Sequence, residues 1–401
     1  MKTSPLSDVV STQYAKWVYP EPIVDLPGWL AHYWQWFDPS HAHRMFWPDR
    51  DRPDDLDILI AGCGTHQAAV FAYNNPQARV VAVDVSRPSL DHHQFLKDKY
   101  GLDNLTLHQL PIENVDTLGQ TFDLIVSTGV LHHMASPEAG MRALAGCLRH
   151  DGVIAIMLYA KYGRLGVYML QDVFRELGLQ QDEVSLQMVR QTLEILPSDH
   201  PIRSYMAIAS DLQYDAGLVD TFLHGRDRDY TVAECIALVE SGGLVFQDFF
   251  LKSPYYPPAF SSHPLHTAVE ALPEVQQWSV MERIHFRNGC HFFTACRPER
   301  PVSQYKVDWL SDAALDCIPM LRHRCQLLPQ SSQIARSDWT MTLDAKHWAC
   351  VSLMDGQRTL AEIVQRAAQS AGVQSDEVVR LFQGLWRYDF LAMSMLRAAA
   401  R

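Results

Sequence analysis

Asp57-Ile58-Leu59-Ile60-Ala61-Gly62-Cys63-Gly64-Thr65 is the stretch whose reading decides the fold. A short apolar run enters a pair of glycines, the pattern of a buried strand that ends in a sharp turn. Val80-Val81-Ala82-Val83-Asp84 is a second such run, and it ends on an acid. Leu105-Thr106-Leu107-His108, Phe122-Asp123-Leu124-Ile125-Val126-Ser127 and residues 152–159 read as three more strands. Helical segments, including 86–100 and 137–149, lie between them. Strands that alternate with helices predict an α/β domain: a mostly parallel sheet, covered on both faces, with right-handed crossovers.

Outward from this block, residues 1–54 are crowded with aromatics and prolines, among them Tyr14, Trp17, Tyr19, Pro20, Trp29, Trp34 and Trp36. They are too apolar for a disordered tail, so a helical N-terminal extension that packs on the next domain is expected. Residues 160–240 read mainly as helices. A strand follows over 244–250, a Pro/Tyr-rich loop over 254–258, and a last strand over 290–296. The sheet domain is therefore placed at 55–298, with 297–301 as a linker. Residues 302–401 form a separate small, mainly helical domain, with helices over 359–371 and 376–388.

Composition narrows the function. A formal net charge of −12 and a pI near 5.8 argue against a nucleic-acid substrate. No apolar run is long enough to span a membrane, and the N-terminus lacks a signal-peptide core, so a cytoplasmic protein is expected. The eight cysteines are scattered without CxxC or zinc-finger spacing. They read as reduced, buried thiols, and no metal is expected.

Small residues after the first strand let a ligand approach the backbone, and an acid ending the second strand can accept hydrogen bonds from ribose hydroxyls. Gly62, Gly64 and Asp84 would converge beyond the carboxyl ends of the strands. A dinucleotide oxidoreductase is the rival reading, but Ala61-Gly62-Cys63-Gly64-Thr65-His66-Gln67 lacks the glycine spacing of GxGxxG.

Further motifs carry a resemblance. GCGT after the first strand, VDVS at the second, FDLIVSTGVLHHM at the fourth and LRHDGVIAIMLY at the fifth resemble class I S-adenosylmethionine-dependent methyltransferases. AVDVSRPSL and VLHHM are similar to bacterial members whose substrates are mostly unassigned. The resemblance covers residues 55–160 and, more loosely, 215–298. It implies a Rossmann-like, mostly parallel seven-stranded sheet with a helical cap inserted at about 160–240. It also implies S-adenosylmethionine as cofactor and S-adenosylhomocysteine as product.

The implied roles are specific. Gly62, Cys63, Gly64 and Thr65 border the methionine part of the cofactor, Asp84 binds the ribose, and Val85 packs on the adenine. Ser127, Gly129 and Val130 line the loop near the sulfonium. The chain departs from the family at His66, where a third glycine is common, and at Pro111, where an acid often meets the adenine amino group. Adenine recognition then falls to backbone groups at Pro111 and Ile112, or to Glu113.

Candidates for the transfer step are His132, His133 and Tyr159, with capping or packing the favoured reading of each histidine taken singly and packing an alternative for Tyr159. Tyr14, Tyr19, Tyr162, Asp220, His224 and Tyr230 are candidate substrate contacts. A charged surface turn and ordinary aromatic packing are the plainer alternatives. The acceptor is expected to be a small molecule or a protein or peptide. Residues 302–401 resemble small winged-helix-like domains through VSLMDGQRTLAEI and LWRYDFL. A peptide-binding or dimerisation role would follow, and a homodimer is one expectation. The alternative to catalysis is a non-catalytic cofactor-binding or scaffold subunit with the same fold.

Overall fold

The computed structural model describes residues 5–396. The chain divides into two compact units that are discontinuous in sequence. One comprises residues up to 37, 54–246 and 282–298; the other comprises 38–53, 247–281 and 299 onward. The linker read at 297–301 coincides with the last of these divisions. The second unit also takes in two earlier segments, which consecutive domains at 1–54, 55–298 and 302–401 do not provide for.

The first unit is built on the expected sheet. Its strands are β1 (Asp57–Ala61), β2 (Arg79–Asp84), β3 (Leu105–Gln109), β4 (Phe122–Thr128), β5 (Leu148–Tyr159), β6 (Val245–Phe249) and β7 (Cys290–Cys296). Their spatial order is β3-β2-β1-β4-β5-β7-β6, and within β6 the chain passes into the second unit. The pairs from β3 to β5 are parallel, and β7 runs antiparallel to β5. Ile58, Leu59, Ile60 and Ala61 are all fully buried, because β1 has a strand on each side and cover on both faces. Strand order reverses between β1 and β4, so a crevice opens at their carboxyl ends.

Local chemistry sets the element ends. Ser86 caps the helix Arg87–Tyr100 through its hydroxyl, and Gly101 closes that helix in the left-handed region at φ +62°. The helix after β4 ends at Gly146 rather than 149, because β5 starts at Leu148. Phe122 pairs with Leu148, then Leu124 with Val153, so a register shift separates β5 into two parts.

Residues 160–240 supply five helices: Leu165–Glu176, Glu183–Ile195, Ile202–Met206, Asp215–Phe222 and Val232–Ser241. The first four have their own apolar core, including Val167, Phe174, Val189, Ile202, Val219 and Phe222. Thr231 caps the fifth in a reciprocal box with Glu234.

In the second unit, the helices expected near 359–371 and 376–388 are Leu360–Ala371 and Ser375–Arg387. Five short strands accompany them: β8 (Ile318–Leu321), β9 (Gln326–Leu328), β10 (Gln333–Arg336), β11 (Trp339–Thr342) and β12 (Leu391–Ser394). The core gathers Ile334, Leu360, Ile363, Leu381, Phe382 and Phe390. None of the eight cysteines forms a disulfide. Among the described residues, no helix is long and apolar enough to cross a membrane.

Removing the Thr231 cap by Thr231→Ala is expected to cost about 1 kcal/mol locally. Amide exchange should quicken at Glu234 and Cys235 and stay unchanged in β1.

Candidate active site

The turn after β1 is fixed by what glycine lacks. Gly62 has φ +81°, and a Cβ there would stand 2.3 Å from Val130 Cγ2. Gly64 has φ +55°, and its Cβ would stand 2.9 Å from Pro20 Cδ. Both positions therefore exclude side chains twice over, by conformation and by space. Gly129, at the end of β4, has φ +74°.

Asp84 turns its carboxylate back onto this loop. Its oxygens accept from Gly64 N at 2.9 Å and Ser86 N at 2.8 Å. Burial pushes its pKa up to about 6, against the opposing pull of the Ser86, Gly64 and Val85 backbone donors. Each carboxylate oxygen keeps lone-pair capacity beyond these bonds. Val85 is half-buried, whereas Pro111, Ile112 and Cys63 are buried. Ser127 is fully buried, and its hydroxyl has no hydrogen-bond partner.

Where a third glycine is common, His66 has a local job. Thr65 Oγ1 donates to Pro20 O at 2.9 Å and lies 3.0 Å from His66 Nδ1. With its hydrogen spent on the carbonyl, Thr65 can only accept from His66. Burial lowers the His66 pKa to about 4, so the ring is neutral.

Beside the crevice lies a second, buried polar cluster. His132 and His133 sit in the turn after β4, Tyr159 ends β5, and Asp220 and His224 come from the helical segment. Asp220 accepts from Tyr14 OH at 2.7 Å and from Tyr159 OH at 3.1 Å. Tyr19 OH donates to Asp211 at 2.9 Å. Desolvation raises the pKa of Tyr14, Tyr19 and Tyr159, and the neighbouring carboxylates raise it further, so all three phenols are neutral.

The histidine tautomers follow from their partners. His132 Nδ1 accepts from Tyr159 N at 3.3 Å, and His224 Nδ1 accepts from Arg226 N at 3.0 Å. Both rings therefore carry their proton on Nε2, and burial lowers both pKa values well below the usual range. His133 is the reverse. Its Nδ1 lies 3.0 Å from Arg226 O and 3.7 Å from Asp227 Oδ1, so it must donate, which leaves a lone pair on Nε2.

Two groups, His132–His133–Asp227 and His133–Asp220–His224, bring possible metal-ligand atoms within 4.8 Å of one another. The protonated Nε2 atoms of His132 and His224 have no lone pair to give, so neither group fits a metal ion as protonated here.

Not every candidate joins the cluster. Tyr230 extends the sheet edge: its N donates to Tyr159 O at 2.9 Å and its O accepts from His291 at 2.8 Å. Tyr162 is half-buried in the turn before Arg164 and makes none of these bonds. Conversely, Arg164, Asp211 and Asp227 belong to the cluster and were not singled out. Arg164 is fully buried, lies 3.6 Å from the Tyr159 ring centroid, and pairs with Asp227 at 3.6 Å. Nothing in the sequence marks Arg164, Asp211 or Asp227 as buried.

A segment of the N-terminal extension joins crevice and cluster. Tyr14 O accepts from Ser86 Oγ at 3.2 Å while Tyr14 OH holds Asp220. Pro20 O holds Thr65 while Tyr19 OH holds Asp211. Residues 14–20 are thus a strap across both sites.

A family model described as a methyltransferase domain matches residues 59–154. Residues 59–154 thus carry a methyltransferase domain, in a fold of the class I S-adenosylmethionine-dependent type. The chain is 28% identical over 388 residues to an uncharacterized protein of Synechococcus sp., covering 90% of this chain and 89% of that protein. It is 29% identical over 116 residues to the tRNA U34 carboxymethyltransferase of Saccharophagus degradans, covering 29% of this chain and 36% of that one. Its fold is similar to PKMT2 from Rickettsia typhi in complex with AdoHcy, with a TM-score of 0.64, 14% identity, and 90% and 76% of the two chains covered.

Nitrogen NMR of the imidazoles tests the tautomers. His132 and His224 should show Nε2–H rings that stay neutral well below the usual pKa of about 6.5, and His133 should carry a proton on Nδ1.

Proposed function

We propose that this methyltransferase transfers a methyl group to an acceptor held in the pocket formed by Tyr14, Tyr19, His133, Tyr159 and Asp220. The observation that carries this reading is the strap, because Tyr14 bonds both the lip of the cofactor crevice and the centre of the polar cluster. The acceptor would be a small molecule, or the tip of a protein or peptide side chain.

Asp84 would hold the ribose hydroxyls on its remaining lone pairs. Gly62 and Gly64 would let the cofactor's methionine portion lie against bare backbone, and the unpartnered Ser127 hydroxyl would face it at the end of β4. Pro111 and Ile112 would border the adenine. Bound there, S-adenosylmethionine supplies an electrophilic methyl on a sulfonium.

The protein's own task is to align the acceptor, exclude water and receive a proton. His133 is oriented for the last of these. Arg226 O fixes its Nδ1–H, Asp227 stands beyond, and the free Nε2 lone pair has no hydrogen bond among the described residues. His132 stacks on Tyr159 at 3.8 Å and lies edge-on to His133 at 4.2 Å, so it acts as a positioning residue.

Calorimetric titration tests the reading. S-adenosylmethionine should bind at micromolar Kd, Asp84→Ala should abolish binding, and NAD should not bind. Failure of both S-adenosylmethionine and S-adenosylhomocysteine to bind would overturn it. The pH dependence has a definite sign. Ribose hydroxyls need the ionised carboxylate, and Asp84 protonates as pH falls through about 6. Affinity should hold above that value and weaken below it, and Asp84→Asn should flatten the profile.

A further inference from the structure

We propose that the atom methylated is an amine nitrogen that enters the pocket as an ammonium cation. The inference rests on the methyltransferase reading above and adds the chemical class of the acceptor.

Charge balance is the first argument. The cluster holds three carboxylates, Asp211, Asp220 and Asp227, and one buried guanidinium, Arg164. Arg164 is directed toward Asp227 and the phenols, although its Nε and Nη2 have no hydrogen-bond partner. It pairs with Asp227, donates to Tyr205 OH, and stacks on the Tyr159 ring. His132 covers the same ring at 3.8 Å, so Arg164 must take the opposite face, away from the histidines. Asp220 is 2% exposed, and the contacts it makes are to phenols and, at 4.0 Å, to neutral His224. A buried carboxylate without a cation is costly, and a cationic ligand relieves that cost.

Hydrogen-bond direction is the second argument. Tyr14 and Tyr159 each give their single O–H to Asp220, and Tyr19 gives its own to Asp211. Each phenolic oxygen therefore offers only lone pairs to anything that enters, and each is made more negative by the carboxylate behind it. His133 Nε2 is likewise an acceptor. The donors left without a hydrogen-bond partner are the Nε2–H of His132 and, across the Tyr159 ring, Nε and Nη2 of Arg164, all buried. Walls of this kind repel a carboxylate or phenolate acceptor and leave an alcohol with one proton to donate. An ammonium brings three protons and a charge.

The step balances. The ammonium gives one proton to His133 Nε2, which frees the nitrogen lone pair. That nitrogen forms the new N–C bond as the S–C bond breaks, which leaves S-adenosylhomocysteine and a methylammonium facing Asp220. The proton on His133 then passes to solvent.

The test uses the full chain saturated with S-adenosylhomocysteine. Calorimetry compares n-butylamine with its neutral isostere n-butanol, on the wild type, Asp220→Asn and Tyr14→Phe. The amine should bind at least tenfold more tightly than the alcohol, and either substitution should erase most of that difference while S-adenosylhomocysteine still binds. Equal affinity for amine and alcohol in the wild type overturns the amine assignment and leaves the methyltransferase reading standing. An amine preference that survives both substitutions also overturns it. Failure to bind S-adenosylhomocysteine overturns the underlying reading instead. Mass spectrometry with S-adenosylmethionine then separates the sources. Methylation of free diamines points to a small molecule, and methylation of Nα-acetyl-lysine amide or lysine-bearing polypeptides points to a side chain. Methyl transfer to matched alcohols and to no amine overturns the proposal.

Discussion

Asp220 is a carboxylate buried without a cation, and the first unit closes around that constraint. A charge in such a place must be hydrogen-bonded, and charge-assisted bonds are worth roughly 1.5–3 kcal/mol each. Tyr159 reaches it from the end of β5, so the sheet fixes one side. Tyr14 reaches it from the N-terminal helix Val9–Lys16, so the extension fixes the other. The carboxylate thereby binds two segments about 145 positions apart in the chain into one pocket wall.

The same segment touches the cofactor crevice. Ser86 Oγ and Thr65 Oγ1 both donate to strap carbonyls, and Pro20 occupies the space a Gly64 side chain would need. The bare backbone that a cofactor requires is thus also what lets the strap lie close. On the proposed function, cofactor binding and acceptor binding would be mechanically related, since whatever displaces the strap would loosen both. The histidine tautomers complete the arrangement. The buried backbone donors assign protons to His132 and His224, and a carbonyl assigns the opposite tautomer to His133.

The fold was largely legible because its signal is local. A strand buried on both faces reads as a continuous apolar run, and β1, β2, β4 and β7 are such runs. Gly62, Gly64 and Asp84 were legible because a sharp turn and an acid at a strand end have few substitutes. Tyr14, Tyr19, Asp220 and His224 were named as candidates, and the structure brings them together with His133 and Tyr159. Arg164 and Asp211 escaped notice because a buried charge in a helical segment looks, in sequence, like an exposed one. The strap itself is a pairing of distant segments, which no periodicity encodes. β8 to β12 were missed because strands of three or four residues are too short for a period to declare itself. The second unit recruits residues 38–53 and 247–281, which only tertiary packing reveals.

Amide hydrogen exchange over residues 9–20, with and without S-adenosylhomocysteine, tests the central claim that one strap serves both sites. Slower exchange in the strap, in step with the loop at 61–65, is the predicted result. Protection of that loop with no change in the strap would contradict the account.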